Sequence, residues 1–84
     1  NAQLQSAITQ YRQDILQYEY YRTQALPNTD EIVKSAQLGY RTGDISYIEY
    51  LYAIQTATDV QLNYLKSTQQ INQTILNINS LINK

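Results

Sequence analysis

The middle of the chain constrains its fold most. In Gly39-Tyr-Arg-Thr-Gly-Asp-Ile-Ser-Tyr-Ile-Glu-Tyr-Leu51, a helix stop and a helix start lie a few residues apart, with helical patterning on both sides. Gly43 is placed as the residue just past a helix end, where a left-handed backbone is free of Cβ strain. Arg41 sits in the last turn before it, where a cation suits the negative end of the helix dipole. Ser46 and Glu49 then have the S-x-x-E spacing of a capping box that opens the next helix. One helix stops, turns at Thr42 to Ile45 and restarts in the opposite direction. The expected fold is all-α: a long antiparallel coiled-coil helical hairpin with arm one over 3–42, a tip over 42–46 and arm two over 46–83.

Arm two carries no Pro or Gly. Tyr50, Ile54, Ala57, Gln61, Tyr64, Thr68, Ile71, Ile75, Ile78 and Ile82 alternate steps of four and three, a sustained heptad seam. A second seam runs beside it through Ile48, Leu51, Gln55, Thr58, Leu62, Leu65, Gln69, Asn72 and Leu76. Two seams on one helix imply more than one packing partner, so the chain is expected to self-associate. At about 1.5 Å per residue, this helix spans roughly 55 Å.

Arm one repeats the spacing at Leu4, Ile8, Tyr11, Ile15 and Tyr18, and resumes it at Ile32, Val33, Ala36 and Tyr40. Between them, Pro27 disfavours helix at Leu26 and removes a donor. Asn28 to Glu31 have the composition of a fresh N-cap with acids in the first turn. Arm one is therefore kinked or broken near Pro27: one bent helix, or two stacked end to end. Arm two has no matching break, which favours an arm stacked along one continuous partner over a compact three-helix bundle.

Composition narrows the function classes. At 84 residues the chain is one small domain at most. A net charge of −1 with 15% charged residues offers no basic face for nucleic acid. Cys, His, Met, Trp and Phe are all absent. The residues therefore supply no thiol or imidazole for a metal site, no Ser-His or Cys-His pair, and no cofactor motif; an enzyme is not expected. Without Cys the redox compartment stays open. The longest apolar run, Tyr50 to Ile54, is far short of a membrane span, so no membrane contact by these residues is expected. The start at Asn1-Ala2 is similar to the scar of a removed tag, and we read the chain as a piece of a larger protein.

Asp14, Glu19, Asp30, Glu31, Asp44 and Asp59 show no spacing of a carboxylate dyad or calcium loop and are expected at the solvated surface. Tyr11, Tyr18, Tyr20 and Tyr21 lack interleaved basic residues, so packing between helices is expected rather than base stacking. Ile45 is an apolar residue at an exposed apex with no structural need to be there, which marks the tip as a docking candidate.

Ala36, Tyr40, Gly43, Glu49, Leu51 and Ala53 match the pattern A-x-x-x-Y-x-x-G-x-x-x-x-x-[DE]-x-L-x-A. The stretch resembles the second periplasmic hairpin of TolC-type outer-membrane efflux proteins. The Leu26-Pro-Asn segment followed by Gly43-Asp-Ile-Ser-Tyr-Ile-Glu-Tyr-Leu is similar to the efflux-protein segment fused to some bacterial heavy-metal-exporting RND pumps. The resemblance covers Ala25 to Leu76 and is weak before Tyr18.

The resemblance implies a periplasmic portion of a cell-envelope protein: part of an α-helical tunnel built by three protomers and topped by a β-barrel. It implies that the tip residues Arg41, Thr42, Gly43, Asp44, Ile45 and Ser46 dock a periplasmic adaptor. It also implies a pore entrance at Glu49 and Tyr52. Glu49 matches one acidic position of the family, whereas Tyr52 stands where some members carry a second acid, so the likeness does not extend to a doubly acidic constriction. Heavy-metal cations are the implied cargo. Without the resemblance, Glu49 reads as the capping partner of Ser46, and the chain as a generic coiled-coil interaction module.

Overall fold

The computed structural model describes residues 1–83 and contains helices joined by one tight turn. α1 spans Ala2–Tyr20, a π-helical turn spans Tyr21–Ala25, and α2 spans Leu26–Thr42; together they form arm one. α3 spans Tyr47–Ile82 and forms arm two. The arms lie antiparallel in a rod of 62 × 17 × 14 Å with a radius of gyration of 18.4 Å. The expected all-α hairpin is the observed fold. No helix among the described residues is long and apolar enough to cross a membrane.

α1 is started by Asn1, whose side chain accepts a hydrogen bond from the Leu4 amide at 2.8 Å. Arm one then stays helical past Pro27. Tyr20, Tyr21, Ala25 and Leu26 all keep right-handed helical backbone angles. No new cap forms at Asn28 to Glu31; Thr29 is instead buried against α3. The irregularity near Pro27 is the π turn. Pro27 has no N–H for the Thr23 carbonyl, and its ring crowds that carbonyl. Just before it, the Leu26 amide bonds to the Tyr21 carbonyl five residues back. A π turn accommodates one extra residue in an otherwise α-helical run.

The facing pattern shows why an extra residue must be absorbed there. The central inward positions in arm one run Leu4, Ala7, Tyr11, Asp14, Tyr18, Tyr21 and Ala25, then Thr29, Val33 and Ala36, with Ile8, Ile15, Glu19 and Leu26 half-buried beside them. Steps alternate three and four except across the π turn, where three successive fours add one residue to the heptad count. α3 keeps a strict heptad opposite, so the wider turn holds both halves of arm one in phase with it.

The inward seam of α3 differs from the expected one. Its inward positions run Tyr50, Ala53, Ala57, Val60, Tyr64, Ser67, Ile71, Thr74, Ile78 and Leu81, with Ile54 and Thr68 half-buried beside them. Seven of the ten expected seam positions are buried or half-buried. Gln61, Ile75 and Ile82 are exposed and Ile54 and Thr68 lie at the edge of the contact, while Ala53, Val60, Ser67, Thr74 and Leu81 take the inward places. At about 100° per residue, the contact face is turned by roughly 50°. The substituted seam is richer in small side chains, which lets the arms approach closely. The buried apolar residues are correspondingly small: Ala7, Ala36 and Ala57.

Polar groups bridge the arms. Asp14, expected at the surface, is only 3% exposed. Thr74 Oγ1 donates to Asp14 Oδ2 at 2.6 Å and Gln10 Nε2 to Oδ1 at 2.9 Å, while Gln70 Nε2 reaches Thr74 Oγ1 at 3.5 Å. Asp14 is inward because it falls on the three-four spacing of arm one. Nearer the tip, Tyr18 and Tyr64 stack with centroids 5.4 Å apart, and Tyr64 Oη donates to Tyr18 Oη at 3.3 Å. That hydrogen bond, with desolvation behind it, raises the Tyr64 phenol above its ordinary pKa. Tyr11, Tyr18 and Tyr21 are half-buried as expected for packing residues, while Tyr20 is exposed. No buried side-chain polar atom lacks a partner among the described residues.

Candidate functional site

The tip is built almost wholly from local hydrogen bonds. Gly43 closes α2 with φ 81° and ψ 9°, the one left-handed residue among those described. Its amide donates to the Tyr40 carbonyl at 3.2 Å, and the Asp44 amide to the Gly39 carbonyl at 2.8 Å. This pair of bonds is a Schellman motif, which satisfies the carbonyls a helix end leaves free. The Ile45 amide also reaches the Gly39 carbonyl, at 3.2 Å. Thr42 Oγ1 lies 3.2 Å from that carbonyl and 3.0 Å from Asp44 Oδ2, so its one proton is shared between the two acceptors.

α3 starts with the expected reciprocal cap. The Glu49 amide donates to Ser46 Oγ at 3.1 Å, and the Ser46 amide to Glu49 Oε1 at 3.2 Å. Two of the four free donors at the helix start are thereby satisfied, and the carboxylate stands at the positive end of the dipole.

Ile45 has a structural role that the sequence reading did not assign. It is half-buried and folds back over Gly39, where an added Cβ would come 3.3 Å from Ile45 Cγ1. Gly39 therefore makes room for Ile45, and exposure at the apex is not by itself a docking signal. The available clue was a glycine four residues before Gly43, which leaves no side chain in the way of an apolar residue two positions past the stop.

Below the turn, Tyr40, Tyr47 and Tyr50 form an aromatic cluster that the sequence reading missed. Tyr40 and Tyr50 stack at 5.2 Å with planes 19° apart, and Tyr47 lies 5.7 Å from Tyr40. Tyr40 comes from the last turn of α2 and the other two from the first turn of α3, so the cluster clamps the turn from below. Tyr40 and Tyr47 leave much of their surface to solvent.

Arg41, Thr42, Gly43, Asp44, Ile45 and Ser46 are thus brought together in one turn, with Glu49 bonded to Ser46. Tyr52 is not drawn into the tip; it stands exposed on the flank of α3. Among the described residues no three Asp or Glu side chains gather as a metal-binding group. The surface offers hydroxyls, the Asp44 and Glu49 carboxylates, the Arg41 cation and exposed tyrosine rings. No family model, curated protein or solved structure matches this chain.

Proposed function

We propose that this chain is the periplasmic helical hairpin of a TolC-type efflux assembly, contributing tunnel wall and an adaptor-docking tip. The observation that carries the reading is the rod itself: a 62 Å hairpin with a hydrogen-bonded tip at one end and an apolar seam uncovered along α3. The residues of the family pattern have jobs in such a part. Gly43 and Tyr40 shape and clamp the tip, Glu49 caps α3 beside it, and Ala36 and Ala53 sit on the inward faces of the arms.

In this reading Arg41, Thr42, Asp44 and the outer face of Ile45 meet the tip of a periplasmic adaptor. Glu49 and Tyr52 stand near the entrance, and the outward seam of α3 lies against a neighbouring hairpin in a trimeric tunnel. Export of a heavy-metal cation is the cargo favoured by the likeness to RND-fused segments.

The test is site-specific crosslinking in the parent protein. A photoreactive residue replacing Thr42 is expected to capture the adaptor, and Asp44→Arg to lower metal resistance while leaving protein level unchanged. A second reading, a coiled-coil interaction module without transport, is favoured by the same uncovered seam. It predicts that Asp44→Arg is silent while a charge in the uncovered seam, as in Leu65→Asp, abolishes assembly. That pair of results would sink the efflux reading.

A further inference from the structure

The outward seam of α3 is left uncovered by the hairpin. Leu51, Leu62, Leu65 and Leu76 keep 45%, 49%, 56% and 62% of their surface exposed. Between them lie Gln55, Thr58, Gln69 and Asn72, all exposed, and none of these eight positions is charged. Their order of polarity is a palindrome: Leu, Gln, Thr, Leu, Leu, Gln, Asn, Leu. Its centre falls between Asn63 and Tyr64.

A palindromic heptad seam fits a copy of itself running the other way. In an antiparallel pair centred there, Leu62 lies opposite the partner's Leu65 and Leu51 opposite the partner's Leu76. Gln55 meets the partner's Asn72, and Thr58 the partner's Gln69, so each apolar layer is wholly apolar and each polar layer has donors and acceptors on both sides. Sliding the copies by one heptad sets Leu62 against Thr58 or Asn72 and leaves polar groups facing leucine. The match ends outside this span, where Ile48 would face Asn79.

The flanking charges choose between orientations. Asp59 and Lys66 are exposed one heptad apart on the same flank of the seam. In antiparallel helices like flanks meet, so Asp59 pairs with the partner's Lys66, twice by symmetry. In a parallel pair this flank meets the opposite one, and Asp59 and Lys66 face Ile54 and Gln61 instead.

We propose that α3 binds α3 of a second copy of this chain in an antiparallel two-fold pair centred between Asn63 and Tyr64. The interface is isologous and closes on itself, with the two tips at opposite ends. It covers large aliphatic side chains that the thin hairpin cannot bury alone, a common requirement in domains this small. The inference competes with the tunnel-wall part of the efflux reading for this seam and leaves the adaptor-docking part untouched. In a ring of hairpins with tips aligned, the same seam would meet a neighbour's first arm, which also runs antiparallel to α3.

Sedimentation equilibrium of the unmodified chain is expected to give twice its 9.8 kDa mass. Leu51→Cys and Leu76→Cys chains, mixed in a glutathione redox buffer, are expected to form the mixed disulfide and little of either symmetric one. Asp59→Lys is expected to weaken association several-fold, and Asp59→Lys with Lys66→Asp to restore it, with helix content by circular dichroism unchanged. A monomer at the highest attainable concentration, a trimer, or a Leu51→Cys symmetric disulfide would each overturn the proposal. None of these readouts touches the tip, so failure here leaves the adaptor test standing.

Discussion

The tip and the Asp14 layer are both held by hydrogen bonds, yet they are opposite kinds of structure. At the tip, donor and acceptor lie no more than six residues apart and the groups are open to water. At the Asp14 layer, the decisive bond joins residues 60 apart in sequence and is buried. A broken tip bond can be replaced by water, so its loss costs only the net value of the bond. A broken bond at Asp14 leaves a carboxylate oxygen away from water with no donor, and the desolvation penalty is felt in full. The tip therefore sets local shape at modest energy, whereas the layer fixes how the arms align.

The largest effect should come from attacking that layer. Thr74→Val keeps the shape and removes the donor to Asp14, and should destabilise the hairpin by about 1–3 kcal/mol in chemical denaturation. Replacing both partners, as in Asp14→Leu with Thr74→Val, should recover most of that loss, because no charge then remains buried. The signature of an alignment device would appear elsewhere. The double variant should show broader distances between spin labels on the two arms despite its recovered stability. An equally narrow distribution would reduce the layer to a tolerated polar pair.

The two glycines sharpen the contrast on the side of the tip. Gly43 has open space around its missing Cβ but a φ of 81°. Gly43→Ala should therefore cost about 1–2 kcal/mol through backbone conformation alone. Gly39 has ordinary helical geometry and a crowded neighbour instead. Gly39→Ala gains about 0.5–1 kcal/mol of helix preference but presses on Ile45, whose side chain must yield by a few tenths of an ångström. The net change should be small. Thermal unfolding of the two variants separates a backbone cost from a packing cost, and equal losses would show that the turn is held by something other than the left-handed residue.

The same contrast explains what was legible in the sequence. The stop at Gly43 and the cap at Ser46 and Glu49 could be read because their partners lie within a few residues and each residue type has one local job. The hairpin and its length followed from them. Asp14 could not be read the same way. Its partner is on the other arm, and an acid in a polar-rich helix looks like surface until the facing register is known. The register was misread by half a step because α3 offers isoleucines at Ile54, Ile75 and Ile82 beside the true seam, and apolar character was weighed above smallness. Ala53, Ser67 and Thr74 won because the arms pack closely. At the site, the six tip residues were legible as a unit, while Gly39 and the Tyr40, Tyr47 and Tyr50 cluster depend on how the two helix ends meet.

The smallest expected effect is the most useful for function. Ser46→Ala removes the acceptor for the Glu49 amide and should cost about 1 kcal/mol. Glu49→Gln keeps an oxygen that can accept from the Ser46 amide and loses only the charge at the helix start, a few tenths of a kcal/mol at an exposed end. The two substitutions act on the same four-residue box and differ in one respect, since only the second removes an anion from the tip. If Glu49 serves the cap alone, metal resistance in the parent protein should fall with Ser46→Ala at least as much as with Glu49→Gln. If its charge lines a cation path, Glu49→Gln should lower resistance at nearly unchanged stability, and Ser46→Ala should leave it close to normal.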